Sequence, residues 1–253
     1  MDRFKDKVVI VTGAGRGIGR AIALGFGNQG AKVIVADIRD KQGQETSKLI
    51  NQAGGKGLYI HTDVSNKSKV DAMVVKTVET FGAIDVLVND AGICPFKDFL
   101  DIPEEMWDHV LEVNLKGVFL CSQAAAKVMI KKGIQGKIIS VGSISSVVGG
   151  AQQAHYCSTK AGINLLTASM AIALGPHGIT CNAVLPGPIE TDINKEDLAN
   201  ETKRNYFIQR TPLRRIGQPQ DVVGPIMFFA SQDADWCTGS TLVVDGGILV
   251  NFQ

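Results

Sequence analysis

Short runs of β-branched residues alternate along the chain with longer segments of helical periodicity. The runs at 7–12, 32–37, 58–63, 84–89, 137–142, 179–184 and 241–246 are predicted to be strands. Their apolar side chains are almost continuous, as in parallel strands covered on both faces, and right-handed crossovers place the intervening helices on those faces. The pattern predicts a doubly wound α/β fold of Rossmann type, with a parallel sheet of about seven strands.

The length of the chain predicts one domain. Its 253 residues are 45% hydrophobic, enough for one substantial core, and no low-complexity linker divides them. We therefore expect a single dinucleotide-binding and catalytic domain over 1–253. The segment 187–219 differs, because it is polar, charged and bracketed by Pro and Gly. It is either a mobile flap over a substrate or a solvated helical excursion.

Charge and cysteine content exclude several classes of protein. The net charge is +1 with both signs intermixed, which favours neither nucleic acid nor an anionic membrane and leaves a small neutral molecule as the expected partner. Five separated cysteines without a CxxC pair predict reduced thiols, and the four histidines do not occur at metal-ligand spacing. No signal-peptide core or run of about 20 apolar residues is present, so we expect a cytoplasmic protein.

The first chemical motif is the glycine-rich sequence TGAGRGIG at 12–19. Gly13, Gly17 and Gly19 form the spacing GxxxGxG at the expected junction of the first strand with a helix. Glycines allow the backbone to approach a pyrophosphate, and a helix beginning near Arg16 offers free N–H groups and the positive end of its dipole. The motif predicts a dinucleotide site, with an ordinary Gly-rich turn as the alternative.

Asp37 predicts the cofactor. It ends the second predicted strand about 20 residues beyond the glycines, where a carboxylate accepts hydrogen bonds from the adenosine ribose and repels a 2′-phosphate. We therefore expect NAD to be preferred. Because Arg16 and Arg39 lie near in sequence and would soften this repulsion, NADP remains possible.

Tyr156 and Lys160 predict the catalytic group. Four residues apart on a helix, they share one face, and a nearby ammonium group favours the phenolate and lowers the pKa of a tyrosine from about 10. Tyr156 is then a candidate general base. Ser143 ends the fifth predicted strand, at the sheet edge where ligands bind, and can hold the substrate oxygen.

The ordered motifs resemble the short-chain dehydrogenase/reductase family over essentially the whole chain. The matching segments are TGAGRGIG, DV at 63–64, NDAG at 89–92, VNLKGVF, Ser143, YCSTK and PGPIETD from Pro186. The resemblance implies that Tyr156 is the base, that Lys160 lowers its pKa and binds the nicotinamide ribose, that Ser143 orients the reacting oxygen, and that Asn114 holds a relay water. The expected cofactor-binding residues are Gly13, Arg16, Gly17, Ile18, Gly19, Asp37, Asp63, Val64, Asn89, Ala91, Tyr156, Lys160, Pro186, Gly187, Ile189 and Thr191.

Two further expectations come with this resemblance. Members commonly form homotetramers through flanking helices and the C-terminal strand, so we expect one here. The motif NDAG also departs from the family, which usually has a second Asn where this chain has Asp90.

Longer blocks, such as NDAGICPF and VVGGAQQAHY, are similar to the sub-family of bacterial L-rhamnose 1-dehydrogenases. This similarity implies oxidation of the anomeric hydroxyl of an aldose to an aldonolactone without a metal, with Ser143, Ser145, Gln153 and Tyr156 contacting the sugar. The alternatives are a polyol or secondary-alcohol dehydrogenase, a 3-oxoacyl thioester reductase, or a non-catalytic NAD-binding protein.

Overall fold

The computed structural model describes residues 3–192 and 194–251. Its centre is a seven-stranded sheet in which every pairing is parallel. The strands are β1 (Val8–Thr12), β2 (Lys32–Asp37), β3 (Lys56–His61), β4 (Val86–Asn89), β5 (Lys137–Val141), β6 (Thr180–Pro186) and β7 (Thr241–Val244), in the spatial order β3-β2-β1-β4-β5-β6-β7. The predicted fold class is confirmed.

Helices connect these strands. They are α1 (Gly17–Asn28), α2 (Asp40–Gln52), α3 (Lys67–Phe81), α4 (Glu104–Leu111), α5 (Gly117–Lys131), α6 (Ala154–Leu174), α7 (Lys195–Ala199), α8 (Glu201–Arg210) and α9 (Pro219–Ala230). One π-helical turn, Glu112–Lys116, joins α4 to α5 and contains Asn114.

The strand boundaries differ slightly from the predicted ones. β6 continues two residues beyond the prediction, to Pro186, because Pro186 pairs with Val244 of β7. A proline has no N–H to give to the sheet, so β-propensity alone does not extend a strand to such a residue. This extension brings Pro186 and Gly187 to the carboxyl edge of the sheet.

A hydrophobic core covers each face of the sheet. Val9 and Val11 of β1 belong to one core, with α1 and α9, whereas Ile10 belongs to the opposite core, with α3 and α5. Successive side chains of a strand point to opposite faces, so a continuous apolar run supplies both cores at once. Because apolar cores cover both faces of the sheet, the strands do not alternate polar and apolar residues.

The connections fix where a ligand can bind. β1 lies between β2 and β4, and the order of the strands reverses between β1 and β4. At such a switch point the loops that follow the two strands diverge and leave a crevice beyond their carboxyl ends. Thr12, Asp37, Asn89, Val141 and Pro186 end their strands at this edge.

The cysteines agree with the sequence analysis, because all five are reduced thiols. Across 3–192 and 194–251, none of the helices is both long enough and apolar enough to cross a bilayer, and these residues contain no cluster of three or more potential metal ligands.

Candidate active site

A cavity of about 770 Å³ occupies the carboxyl edge of the sheet. Most of the predicted site residues line it: Gly13, Arg16, Gly17, Ile18, Asp37, Asp63, Val64, Ala91, Ser143, Ser145, Gln153, Tyr156, Lys160, Pro186, Gly187, Ile189 and Thr191. Gly19, Asn89 and Asn114 lie behind its wall instead. The cavity thus joins the glycine motif at one side to Tyr156 and Lys160 at the other.

The glycine turn packs tightly on the segment after β4. Gly13 has a φ of +68°, in the left-handed region, and a Cβ there would lie 2.8 Å from Cα of Ala91. Arg16, the N-cap of α1, makes no side-chain capping hydrogen bond, and the first turn of the helix contains no acidic residue. The turn therefore has the close backbone and the positive helix end that a dinucleotide pyrophosphate requires.

Asp37 is buried at the end of β2 with both carboxylate oxygens engaged. Oδ2 accepts a hydrogen bond from Gly15 N at 2.8 Å, and Oδ1 accepts one from Arg39 N at 2.9 Å. Each oxygen keeps a lone pair for a further donor. Backbone N–H groups thus orient this carboxylate toward the cavity before any ribose is bound.

The segment after β6 lies against the glycine turn. A Cβ at Gly187 would come within 2.6 Å of Cβ of Asp245, so only glycine fits this position. Farther along, Thr191 N donates to Asn194 Oδ1 at 3.0 Å, and Arg16 forms an ion pair with Asp192 at 3.1 Å. The ion pair ties the beginning of 187–219 to the glycine turn, and Gly187 and Thr191 line the cavity there.

Tyr156 and Ser143 both line the other end of the cavity, close enough for a hydrogen bond from Ser143 to lower the pKa of the phenol. The Ser143 hydroxyl oxygen accepts a hydrogen bond from Ser145 N at 3.1 Å. A hydroxyl has one proton and two lone pairs, so the proton of Ser143 is left to donate to the phenol oxygen or to a substrate oxygen. Lys160 Nζ donates to Val141 O at 2.8 Å and lies 5.5 Å from the centre of the Tyr156 ring.

Burial dominates the ionisation of Tyr156. It raises the pKa of the phenol well above its ordinary value, and the hydrogen bond from Ser143 opposes this only in part. Burial also lowers the pKa of Lys160. The sequence analysis expected Lys160 to lower the pKa of Tyr156; that effect stays a prediction, and desolvation by burial is the largest influence on the phenol.

Asn114 connects two segments of the cavity wall by hydrogen bonds. Its Oδ1 accepts from Ile93 N at 2.8 Å, while Nδ2 donates to Ile93 O at 2.8 Å and to Thr159 Oγ1 at 3.3 Å. Thr159 Oγ1 in turn donates to Tyr156 O at 2.7 Å. Both amide hydrogens are therefore used to join the segment after β4 to the helix that carries Tyr156. The expected relay-water role of Asn114 stays a prediction.

Gly19 and Asn89 support the backbone around the cavity. Asn89 Nδ2 donates to Ser122 Oγ at 3.0 Å, which ties β4 to α5. Gly19 is packed below the glycine turn: a Cβ there would lie 2.4 Å from Gly13 O and 2.6 Å from Asp90 Oδ2. In this arrangement Gly19 and Asn89 would affect cofactor binding only through the backbone that they support.

The cavity also has lining residues that the sequence analysis did not name. Ser145 and Gln153 line it too, and Gln153 Nε2 donates to Cys94 Sγ at 3.3 Å. Their contact with a sugar stays a prediction. The remaining wall is mainly apolar and comes from three separate segments: Phe96, Val148, Leu198, Lys203 and Phe207. Lys203 and Phe207 are four residues apart on α8. This spacing is the feature of the sequence that could have placed the two side chains on the same face of a helix.

Comparison with known proteins identifies the family. Residues 13–249 match the family model described as "Enoyl-(Acyl carrier protein) reductase". The chain also superposes with a TM-score of 0.93 on the crystal structure of a short-chain type dehydrogenase/reductase from Mycobacterium marinum, which is 36% identical, covering 98% of this chain and 97% of that one. The chain belongs to the short-chain dehydrogenase/reductase family.

Two relatives are similar over nearly their full length. The L-rhamnose 1-dehydrogenase (NAD(P)(+)) of Azotobacter vinelandii is 49% identical over 252 residues, with 98% of each chain covered. The L-rhamnose 1-dehydrogenase (NADP(+)) of Thermoplasma acidophilum is 42% identical over 251 residues, with 99% of each covered.

Replacing Gly19 with Ala is expected to weaken binding of NADH by about tenfold or more, a loss of roughly 1.4 kcal/mol. The added Cβ would push against Gly13 O and Asp90 Oδ2 and displace the glycine turn. The control is Gly224→Ala in α9, where a Cβ has no described atom within 4 Å. Fluorescence titration with NADH measures both; equal affinity in the two variants would contradict the prediction.

Proposed function

We propose that this chain is an NAD(P)-dependent sugar dehydrogenase that oxidises the anomeric C1 hydroxyl of an aldose to the aldonolactone. The aldose that we propose as its main substrate is L-rhamnose. The observation that carries the proposal is the single cavity that Ser143, Tyr156 and Lys160 share with the glycine turn and Asp37. The two L-rhamnose 1-dehydrogenases described above support the choice of sugar, because they match this chain from end to end.

The polar groups of the cavity suit a polyhydroxylated substrate. Ser143, Ser145 and Gln153 lie beside Tyr156 and offer hydroxyl and amide groups that both donate and accept hydrogen bonds. A buried sugar hydroxyl without a partner costs about 1–3 kcal/mol, so such groups determine which sugar fits. The apolar lining residues, which include Phe96 and Phe207, match the C–H faces and the methyl group of a 6-deoxyhexose.

The chemistry divides between the protein and the nicotinamide. Tyr156 accepts the proton of the C1 hydroxyl, while Ser143 holds the same oxygen by a hydrogen bond and Lys160 stabilises the phenolate electrostatically. When bound, the nicotinamide supplies the electron acceptor for the hydride of C1. Proton and hydride both leave C1–OH, the product is the lactone carbonyl, and no metal takes part in this scheme.

Replacement of Tyr156 by Phe is expected to lower the rate of L-rhamnose oxidation by about 10²–10⁴-fold, because the general base is lost. Thermal stability should stay unchanged. Since burial raises the pKa of Tyr156, its base form is favoured as the pH rises, so the wild-type rate should increase from neutral toward alkaline pH. The matched control is Tyr206→Phe, an exposed phenol outside the cavity lining.

A substrate panel distinguishes the proposal from its rivals. L-Rhamnose, L-fucose, L-lyxose, L-mannose, glucose, polyols and a 3-oxoacyl thioester are compared by the absorbance of the reduced cofactor. Activity with L-rhamnose that Tyr156→Phe abolishes supports the proposal. Activity with polyols or the thioester and none with any aldose would replace it with the corresponding alternative, and inactivity with all of them would favour a non-catalytic NAD-binding protein.

For the cofactor we propose that NAD is preferred and NADP accepted. The buried carboxylate of Asp37 would repel a 2′-phosphate, while Arg16 and Arg39 line the same part of the cavity and reduce this repulsion. The relatives' names include both NAD(P)(+) and NADP(+), which supports acceptance of either cofactor.

Replacing Asp37 with Asn is expected to shift the ratio of kcat/KM for NADP to that for NAD upward by about tenfold, since about 1.4 kcal/mol of repulsion is removed. The control is Asp40→Asn. Asp40 also loses a negative charge, but its carboxylate accepts from Tyr59 and interacts with His61 outside the cavity lining. A wild-type enzyme that clearly prefers NADP would contradict the role given to Asp37.

We propose a homotetramer in the cytoplasm. The exposed face of α6 presents Leu165 and Ile172, which are 75% and 80% exposed, and Trp236 near β7 is fully exposed. Apolar surface of this kind is typical of subunit interfaces. Five cysteines that are all reduced suit a reducing compartment.

Light scattering should give a mass four times that of the 27.0 kDa chain. The double substitution Leu165→Glu and Ile172→Glu should lower this mass, because it places charge on the proposed interface. The control is Val75→Glu, an exposed residue of α3 on another face. A monomeric wild-type protein would contradict the prediction.

A further inference from the structure

Asp90 is an acid of the cavity lining that the scheme above does not use. It follows β4 at the switch point, and its N–H donates to Thr12 Oγ1 at 3.1 Å. The N–H of Ala91 donates to the same hydroxyl at 3.2 Å. The end of β1 therefore fixes the backbone of Asp90 and directs this part of the chain along the floor of the cavity, which Asp90 lines.

The carboxylate of Asp90 is held at the N-terminus of α1. It accepts a hydrogen bond from Gly19 N, and its Oδ2 lies 2.6 Å from the position that a Cβ of Gly19 would occupy. A helix N-terminus attracts negative charge through its dipole and its free N–H groups. The glycine turn thus orients Asp90, and Asp90 in turn supports the glycine turn from below.

Lys160, on α6, reaches the strand next to β4 with its side chain. The sheet pairs Asn89 with Ser140, so the next residues, Asp90 and Val141, are side by side, and adjacent strands are about 4.8 Å apart. Lys160 Nζ donates to Val141 O at 2.8 Å and keeps two further hydrogens. The ammonium and the carboxylate therefore face the same cavity from neighbouring positions, and they attract each other.

Burial and this attraction act in opposite directions on both groups. Burial raises the pKa of Asp90 and lowers the pKa of Lys160, whereas each group's charge opposes the shift of the other. The other ionisable groups around them are Asp37 on β2, Tyr156 on α6 and Cys94 after β4. Asp37 raises the pKa of Asp90, and Asp90 raises that of Tyr156.

We propose that Asp90 is a positioning residue that acts through Lys160, as the counter-ion that keeps the buried ammonium charged and sets the pH range in which Lys160 and Tyr156 work together. The inference rests on the proposed function, because it assumes that these two residues carry the proton transfer. A merely structural Asp90 would need only an acceptor for Gly19 N, which asparagine also supplies. The charge of Asp90 is therefore the property to test.

The first experiment is Asp90→Asn, which keeps the size and the acceptor and removes the charge. Removing an anion lowers the pKa of every neighbouring group, so both limbs of the pH profile of kcat/KM should move to lower pH by about one unit. The substrate is whichever alcohol the wild type oxidises in the panel. Asp90→Ser should move the profile in the same direction and serves if the Asn variant folds poorly.

The control is Glu79→Gln, which also removes one negative charge but lies exposed on α3. Its profile should coincide with that of the wild type. An unshifted profile in a folded Asp90→Asn variant would overturn the proposal, even if its thermal stability or its affinity for NADH had fallen, because those losses would indicate a structural role only.

A second measurement needs neither substrate nor turnover. Infrared spectroscopy follows the carboxylic acid band of Asp90, identified by its loss in Asp90→Asn, as the pH is varied. In Lys160→Met the titration midpoint of this band should move to higher pH by about one unit, because the cation that favours the carboxylate is gone. No band assignable to Asp90, or a midpoint that does not move, would overturn the proposal. Failure here would leave the proposed sugar oxidation standing.

Discussion

The close approach of the glycine turn to the segment after β4 is the constraint on which the site depends. Gly13 leaves only 2.8 Å between the position of a Cβ and Cα of Ala91, and Thr12 Oγ1 accepts from two consecutive N–H groups of the same segment. This contact occurs where the strand order reverses, so the loops on either side must part. The cavity is the space that they leave, and a side chain at Gly13 would alter it.

Desolvation is the dominant electrostatic effect inside this cavity. It disfavours the charged forms of Asp90, Tyr156 and Lys160 at once, so each charge depends on its neighbours for stabilisation. Ser143 supplies a hydrogen bond to Tyr156, and Asp90 supplies an opposite charge to Lys160. Because the effects are reciprocal, the ionisation of these groups belongs to the cluster rather than to any one residue.

The sequence predicted the strands, the glycine turn and the Tyr156–Lys160 face because these features are local. A β-branched run, a glycine spacing and a four-residue helical spacing each act within one or two elements. Asn89 and Asn114 show the limit of such reasoning. Both lie in motifs of the site, yet their amides are used by Ser122 and Ile93, and only the packing of β4 against α5 and α6 decides this.

By itself, then, the sequence determined the class of fold, the family resemblance and the kinds of chemical group near the cofactor. Tertiary structure decided how those groups ionise, which of them face the cavity, and which apolar residues of 187–219 complete its wall. The physical reason is that burial and long-range Coulomb interactions depend on the whole environment of a side chain, whereas backbone preferences depend mainly on its neighbours in sequence. Asp90 and Lys160 illustrate that difference: they are 70 positions apart in the chain, one after β4 and the other on α6, yet they line the same cavity.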